Sequence, residues 1–592
     1  SSDTPTAGKI IRRKIYYSEE GFADPDTGTW VEFTPAPADD ASFATVKAAL
    51  LEYLKARTGG TVPISLKQTW EEVAAAPTFT GLLNETYGSG AEAAYSTRRL
   101  NGNVTDCMVI RRASGTPATT TIGFDGSGNI DEAAIETFCT GTTCTVYQWL
   151  DQSGNGNTAT AGAPANEPTI YTGGALVKEQ GRVALQGTST SKLPLSSTVT
   201  LSNEASIFTL CTTKATDNPW GGDSSGAEQL TWVYFSNVNT NWRLIINGAN
   251  ASFTVPFTVE GTRLLQTHNR NASNSIPLTL NGTLADTKTM AGNIPVKVVM
   301  GGNWFNYAGI GQEMIFYNSE KSASDQTSIE ENVGDYFTQN TPLLDTYSGA
   351  AACYSLRLMR TAYTGSAIRV RRSSDNTEQD IGFNVFGELD TVSLLAFVGT
   401  AVTDNGYVKV WYDQASTNDA TQTDTAKQPK IYDGTTGVLD GVNFVYGQSL
   451  PTTCAAVSTS SSSFIIGQKG STSSGFILGN WVSNSKFYAC GDGSVGATTQ
   501  GITVSSYYGN GTEITTPIRS EILTAYTANP SLLSTFYSGA TNGANVQIGH
   551  TQFSGYGVQE IREFVIYHSD QDTAGNRTGI ETNIATFYDI TI

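Results

Sequence analysis

The sequence predicts an all-β chain, with two β-sandwiches in tandem behind a small mixed α/β N-terminal segment. Three observations carry this reading. An ordered internal repeat divides most of the chain in two. The apolar periodicity inside each copy is mainly two, the period of a strand. The composition favours short strands and many turns: 60 Gly among 592 residues and only 15% charged side chains, against roughly a quarter in an average domain. Tyr (26), Phe (24) and Trp (9) supply ample core material, so disorder is excluded.

The repeat comes first, because overlooking one miscasts the whole fold. Ala94-Tyr95-Ser96 returns as Cys353-Tyr354-Ser355, Arg111-Arg112 as Arg371-Arg372, and Ile122-Gly123-Phe124 as Ile381-Gly382-Phe383. Trp149-Leu150-Asp151-Gln152 returns as Trp411-Tyr412-Asp413-Gln414, and Pro168-Thr169-Ile170-Tyr171 as Pro429-Lys430-Ile431-Tyr432. Near the ends, Glu313-Met314-Ile315-Phe316-Tyr317 answers Glu563-Phe564-Val565-Ile566-Tyr567, and each copy closes on a helix ending in Tyr336-Phe337 or Phe587-Tyr588. Chance would not preserve both order and offset. The copies therefore span 83–340 and 343–592, with a linker too short for much independent motion.

Within a copy, Tyr407-Val408-Lys409-Val410-Trp411 alternates as a strand should. Short helices are expected at Asp131 to Phe138 and Leu389 to Phe397. Gly126-Ser127-Gly128-Asn129 and Ser153-Gly154-Asn155-Gly156-Asn157 are turn chemistry. Residues 1–82 differ from both copies. Phe43, Val46, Leu50 and Leu54 mark an amphipathic helix, Thr69 to Ala76 suggests a second, and Ile10 to Tyr17 reads as a basic strand or arm. This segment reads either as a docking or oligomerisation element or as an extension packed on the first sandwich.

Charge and motifs exclude several functions. A net charge of −19 disfavours duplex nucleic acid, whose binding rests on Lys and Arg neutralising phosphates. No apolar run approaches the ~20 residues of a membrane-spanning helix, and Ser1 to Ile10 does not resemble a signal peptide, so export would use a removed leader or another route. His268, His550 and His568 stand apart, leaving little for a metal site or a Ser-His-Asp triad. No metal and no cofactor are expected. Asp151 and Asp413, each followed by Gln, suit turn anchoring through backbone N–H groups. Of seven scattered cysteines, only Cys139 and Cys144 lie across a short turn. Spacing alone leaves open whether they bridge or stay buried thiols.

Ala94-Tyr95-Ser96-Thr97-Arg98, the segment Asp131 to Cys144, and Asp151-Gln152-Ser153-Gly154-Asn155-Gly156-Asn157 together resemble the catalytic domain of the family 54 α-L-arabinofuranosidases. That resemblance implies a concanavalin A-like jelly roll and a disulfide between Cys139 and Cys144. The second copy, with Ala367 to Ser374 and Trp411 to Gln414, is similar to non-enzymatic relatives in bacteriophage and large-virus proteins.

A retaining glycosidase needs a nucleophile and an acid/base about 5–5.5 Å apart. Where the family carries an acid/base Asp after Gly-Gly, this chain has Asn303 after Gly301-Gly302 and His550 after Gly549. For the nucleophile's strand, the hand alignment offers Leu230 to Tyr234 and Gly475 to Leu478, which lack a carboxylate. The family's adjacent Cys-Cys pair is also missing. These departures lead to an expectation of no catalytic residues and no enzyme.

The expected role is a non-enzymatic virion structural protein, a head decoration or a tail fibre, on a virion surface or otherwise extracellular. Its partners would be other virion proteins, further copies of itself and a cell-surface glycan, with no nucleic acid and no membrane insertion. Candidate glycan-binding aromatics are Trp304, Phe305 and Tyr307 in the first copy, and Phe553 and Tyr556 in the second. The alternative is a secreted arabinofuranosidase-like glycoside hydrolase or carbohydrate-binding protein.

Overall fold

The computed structural model describes residues 79–115, 118–212, 219–222, 232–235, 241–246, 249–255, 261–301, 307–338, 342–399, 403–445, 447–455, 460–469, 475–479, 488–490, 504–515, 530–537, 545–549, 559–572 and 575–592, and three backbone strands before them. Ser1–Phe79 and Thr80–Ile592 form two compact units.

In the first unit, Lys9–Ser18 is the central strand of a three-stranded sheet, between Val31–Glu32 and Ser65–Ala74. The helix expected at Thr69 to Ala76 is therefore a strand in its described part. Antiparallel register sets Arg12 opposite Glu71 and Ile10 opposite Val73. Ten paired residues outweigh the helical preference of a short Glu- and Ala-rich stretch. The helix expected from Phe43 to Leu54 lies outside the described residues.

The second unit is antiparallel β and repeats one pairing scheme twice. In the first copy, Ile310–Tyr317 lies between Ala91–Ser96 and Ala205–Thr212. In the second, Gln559–Tyr567 lies between Ala350–Ser355 and Ser461–Lys469. Facing sheets are built on Leu193–Leu201 paired with Ile294–Val299, and on Leu450–Ala455 paired with Asn545–Ile548. Between them lie two separate cores, around Trp149 and Phe316 in one copy and Trp411 and Phe564 in the other. This is an all-β jelly-roll architecture.

The expected short helices form at Glu132–Cys139 and Thr391–Val398. Asp131 and Asp390 cap them by accepting from Ala134 N and Ser393 N. Longer helices, Ala323–Phe337 and Arg577–Phe587, close the two copies.

The repeated sequence words are the fold's polar skeleton. Arg98 reaches Glu313 through Nε (2.7 Å) and Nη2 (3.0 Å); Arg357 reaches Glu563 likewise (2.7 and 3.1 Å). Ser96 and Ser355 donate to the same carboxylates. Tyr336 and Phe337 cover the Arg98 guanidinium, while Phe587 and Tyr588 cover that of Arg357. Buried charges persist only when paired and hydrogen-bonded, which accounts for this Arg and Glu recurring together in both copies. Asp151 accepts from the backbone of Ala94, Ser153 and Asn157, and Asp413 from Cys353, Ala415 and Asn418. Both are turn anchors.

One turn of the second sandwich docks on the first. In the first copy it reads Asp125-Gly126-Ser127-Gly128-Asn129, and in the second Asn384-Val385-Phe386-Gly387-Glu388. The substituted apolar pair docks on the first copy: Phe386 is 2% exposed and joins a cluster with Leu265, Ile329, Val333 and Phe337. Arg263 lies over its ring at 4.2 Å, and Val385 N donates to Asn281 O. Gly334 makes this approach feasible, since a Cβ there would fall 2.0 Å from the Val385 carbonyl oxygen.

Candidate active site

The second sheet of the first copy ends where the Gly-Gly pair begins. Strand Ile294–Val299 pairs with Trp220–Gly221, which pairs with Trp232–Phe235. Beyond the strand, Met300 N donates to Pro219 O and the chain turns at Gly301. Gly301 has φ +153°, and a Cβ there would stand 2.8 Å from Ser191 O, so the close approach to the Thr188–Ser191 turn demands glycine. Ser191 is itself fixed, its Oγ accepting from Thr188 N at 2.8 Å.

Tyr307 does not fit the glycan-binding role. Its ring is 0% exposed, and its hydroxyl lies 2.7 Å from Ile310 O and 3.0 Å from Thr212 O. A ring buried on both faces cannot stack on a sugar; Tyr307 fastens the chain as it enters the central strand. Trp304, Phe305, Phe553 and Tyr556 lie outside the described residues, as do Asn303 and His550.

The sheets also revise the hand alignment. Gly475–Gly479 pairs with Asn545–Ile548 on one side and Tyr488–Cys490 on the other. Its counterpart in the first copy, by the same pairing, is Trp220–Gly221, and the counterpart of Trp232–Phe235 is Tyr488–Cys490. Matching Leu230–Tyr234 with Gly475–Leu478 therefore slips by one strand.

Most described buried carboxylates of the first copy are committed to the fold. Glu313 holds Arg98 and Ser96, Glu167 holds Arg111 and Thr145, and Glu330 accepts from Thr279 and Gln326. Glu179 differs: burial raises its pKa, Thr212 donates to one oxygen, and the other has no hydrogen-bond partner. His268 is buried beside Trp220 and Phe253, and burial lowers its pKa to about 3. It stays neutral near pH 7 and is a packed residue. His568 is exposed, with Nε2 3.2 Å from Ala455 O. Among the described residues, no group of three or more His, Cys, Asp or Glu could hold a metal.

Cys139 and Cys144 are joined as a disulfide, with Cα atoms 5.8 Å apart, tying the helix Glu132–Cys139 to the strand Cys144–Trp149. Cys107, Cys211, Cys353 and Cys454 are buried thiols outside that bridge.

Residues 84–201 match the family model "Alpha-L-arabinofuranosidase B, catalytic". This stretch holds the Ser96-x-Arg98 site, the disulfide, the Asp151 turn and the strand Leu193–Leu201. Among solved structures, the chain is similar to an arabinofuranosidase complexed with arabinofuranosyl-α-1,2-xylobiose (18% identity, 56% of this chain and 80% of the other, TM-score 0.33). It is also similar to a GH54 α-L-arabinofuranosidase soaked with a cyclic sulfate inhibitor (18%, 58% and 80%, 0.33) and to a heptameric SAP-like pentraxin from Limulus polyphemus (15%, 25% and 80%, 0.22). No curated protein matches.

The arabinofuranosidase match overturns the expectation that the chain is not an enzyme, because the matched family model is a catalytic domain. The earlier inference was drawn from Leu230–Tyr234, Asn303 and His550. All of these lie beyond residue 201, where the match ends, and the strand pairing shows Leu230–Tyr234 to be one strand out of step with Gly475–Leu478.

Proposed function

We propose that the chain is a glycoside hydrolase of the arabinofuranosidase kind, with its catalytic centre in the first sandwich. The observation that supports this is the catalytic-domain match over residues 84–201. Double displacement needs two carboxyl groups, one to attack the anomeric carbon and one to protonate the leaving oxygen. Asp223 and Glu228 are the carboxylates that the sequence places between the strands Trp220–Gly221 and Trp232–Phe235. They are the first residues to test. The substrate class that goes with this reading is an α-L-arabinofuranoside, after the description of the matched family model. Incubating the full chain with aryl α-L-arabinofuranosides and with arabinan tests the proposal: release of the aryl alcohol or of arabinose supports it, and an intact substrate at high enzyme concentration refutes it.

A further inference from the structure

A cleft of about 400 Å³ opens where the closing helix of the first sandwich faces the second, between Glu331 and Asp335 on one wall and Arg357, Leu358, Phe383 and Phe587 on the other. We propose that it binds a neutral oligosaccharide, as a site separate from the catalytic centre.

Polar groups left over by the fold carry the argument. The two repeated Arg–Glu pairs differ in one bond. Arg98 Nη1 donates to Asn332 Oδ1 at 2.8 Å and also to its carbonyl oxygen. In the second copy, Arg357 gives its Nη2 to Asn583, and Nη1 is buried with no hydrogen-bond partner. Arg357 is 1% exposed and lines the cleft. An unsatisfied buried donor costs about 1–3 kcal/mol, more for a charged one, so an occupant whose entry lets Arg357 turn that donor to an acceptor relieves the cost. On the opposite wall, Glu331 and Asp335 are exposed, one helical turn apart, and no ion pair between described residues engages either.

Charge narrows the ligand. An anion would meet two carboxylates at the entrance, and a cation would meet the guanidinium at the floor. A neutral polyol satisfies both, its hydroxyl oxygens accepting from Arg357 and its hydroxyl protons going to Glu331 and Asp335, all charge-assisted bonds. Phe383 and Phe587 add half-buried rings for the apolar face of a sugar. The volume falls within the roughly 300–1,000 Å³ of small-molecule sites.

The experiment titrates the full chain with arabinotriose, xylotriose and cellotriose by calorimetry. Two variants accompany it: Asp335→Asn, which keeps shape and removes the charge, and Leu358→Trp, which fills the cleft. Circular dichroism verifies that both fold. At least one trisaccharide is expected to bind one to one, about tenfold more weakly to Asp335→Asn and undetectably to Leu358→Trp. Hydrolysis of an aryl arabinofuranoside is expected to be unchanged in both variants. No binding at millimolar sugar, or binding unaltered in both variants, overturns the proposal. Because binding is read without turnover, an inactive chain that still binds at Asp335 would sink the hydrolase reading and leave this one standing.

Discussion

Replacing Phe386 by alanine should uncouple the two sandwiches. The ring is 2% exposed and sits in the first copy's cluster although it belongs to the second. Truncating a buried Phe to Ala typically costs about 3–5 kcal/mol, combining lost transfer energy with the cavity left behind. Part of this is the Arg263 guanidinium 4.2 Å above the ring, a contact worth about 0.5–2 kcal/mol. For sandwiches of this size, 1 kcal/mol moves a melting temperature by roughly 2–4 °C. A loss near 3 kcal/mol should therefore lower the transition by about 6–12 °C. Scanning calorimetry of the wild type should give one main transition for residues 80–592, and Phe386→Ala should split it in two. Gly334→Ala should act alike from the other side, by pushing the Val385 carbonyl away. A Phe386→Ala protein melting in one transition within a degree of wild type would refute the idea that this turn couples the copies.

Three further outcomes follow from named contacts. Glu313→Gln and Glu563→Gln should each destabilise the chain by about 3–5 kcal/mol in urea titrations, since each strands a buried guanidinium; a loss below 1 kcal/mol in both would contradict the skeleton described above. Peptide mass spectrometry without reduction should recover Cys139 and Cys144 as one linked species, and free thiols at both would count against the bridge. His268 should not titrate by NMR between pH 8 and pH 4, because its folded pKa is lowered to about 3. Its unfolded pKa is near 6.5, so its share of stability is complete above that value and declines as pH falls towards 3. A midpoint near 6.5 in the folded protein would show that the ring is solvated.

The sequence made some features legible because physical chemistry repeats them. Tyr95, Ser96, Asp151, Gln152 and their partners near residues 354 and 413 recur because they build the same turn and ion pair twice. The two short helices and the strand alternation were equally plain. The Arg98–Glu313 pair was visible but unread. A Glu recurring inside a repeated apolar strand and an Arg recurring just after another signal a buried pair, and neither was matched to the other because they lie more than 200 residues apart. The strand at Ser65–Ala74 was misread because its pairing partner, Lys9–Ser18, is distant in sequence and local propensity is weak evidence against ten paired residues. The active site was least legible. Its carboxylates were sought in a region where the copies have diverged, and a one-strand slip misplaced the strand compared for the nucleophile. Phe386 went unnoticed because a turn sequence does not say what it turns towards.

The most direct test of the hydrolase reading is steady-state kinetics on an aryl α-L-arabinofuranoside, with the full chain and its Asp223→Ala and Glu228→Ala variants. Turnover by the wild type is predicted. Loss of a general acid/base should lower the rate by about 10²–10⁴, and loss of the nucleophile should close the covalent route, so at least one variant should fall by two orders of magnitude or more while keeping its melting temperature. Absence of any turnover by the wild type, on the aryl substrate and on arabinan alike, would contradict the account.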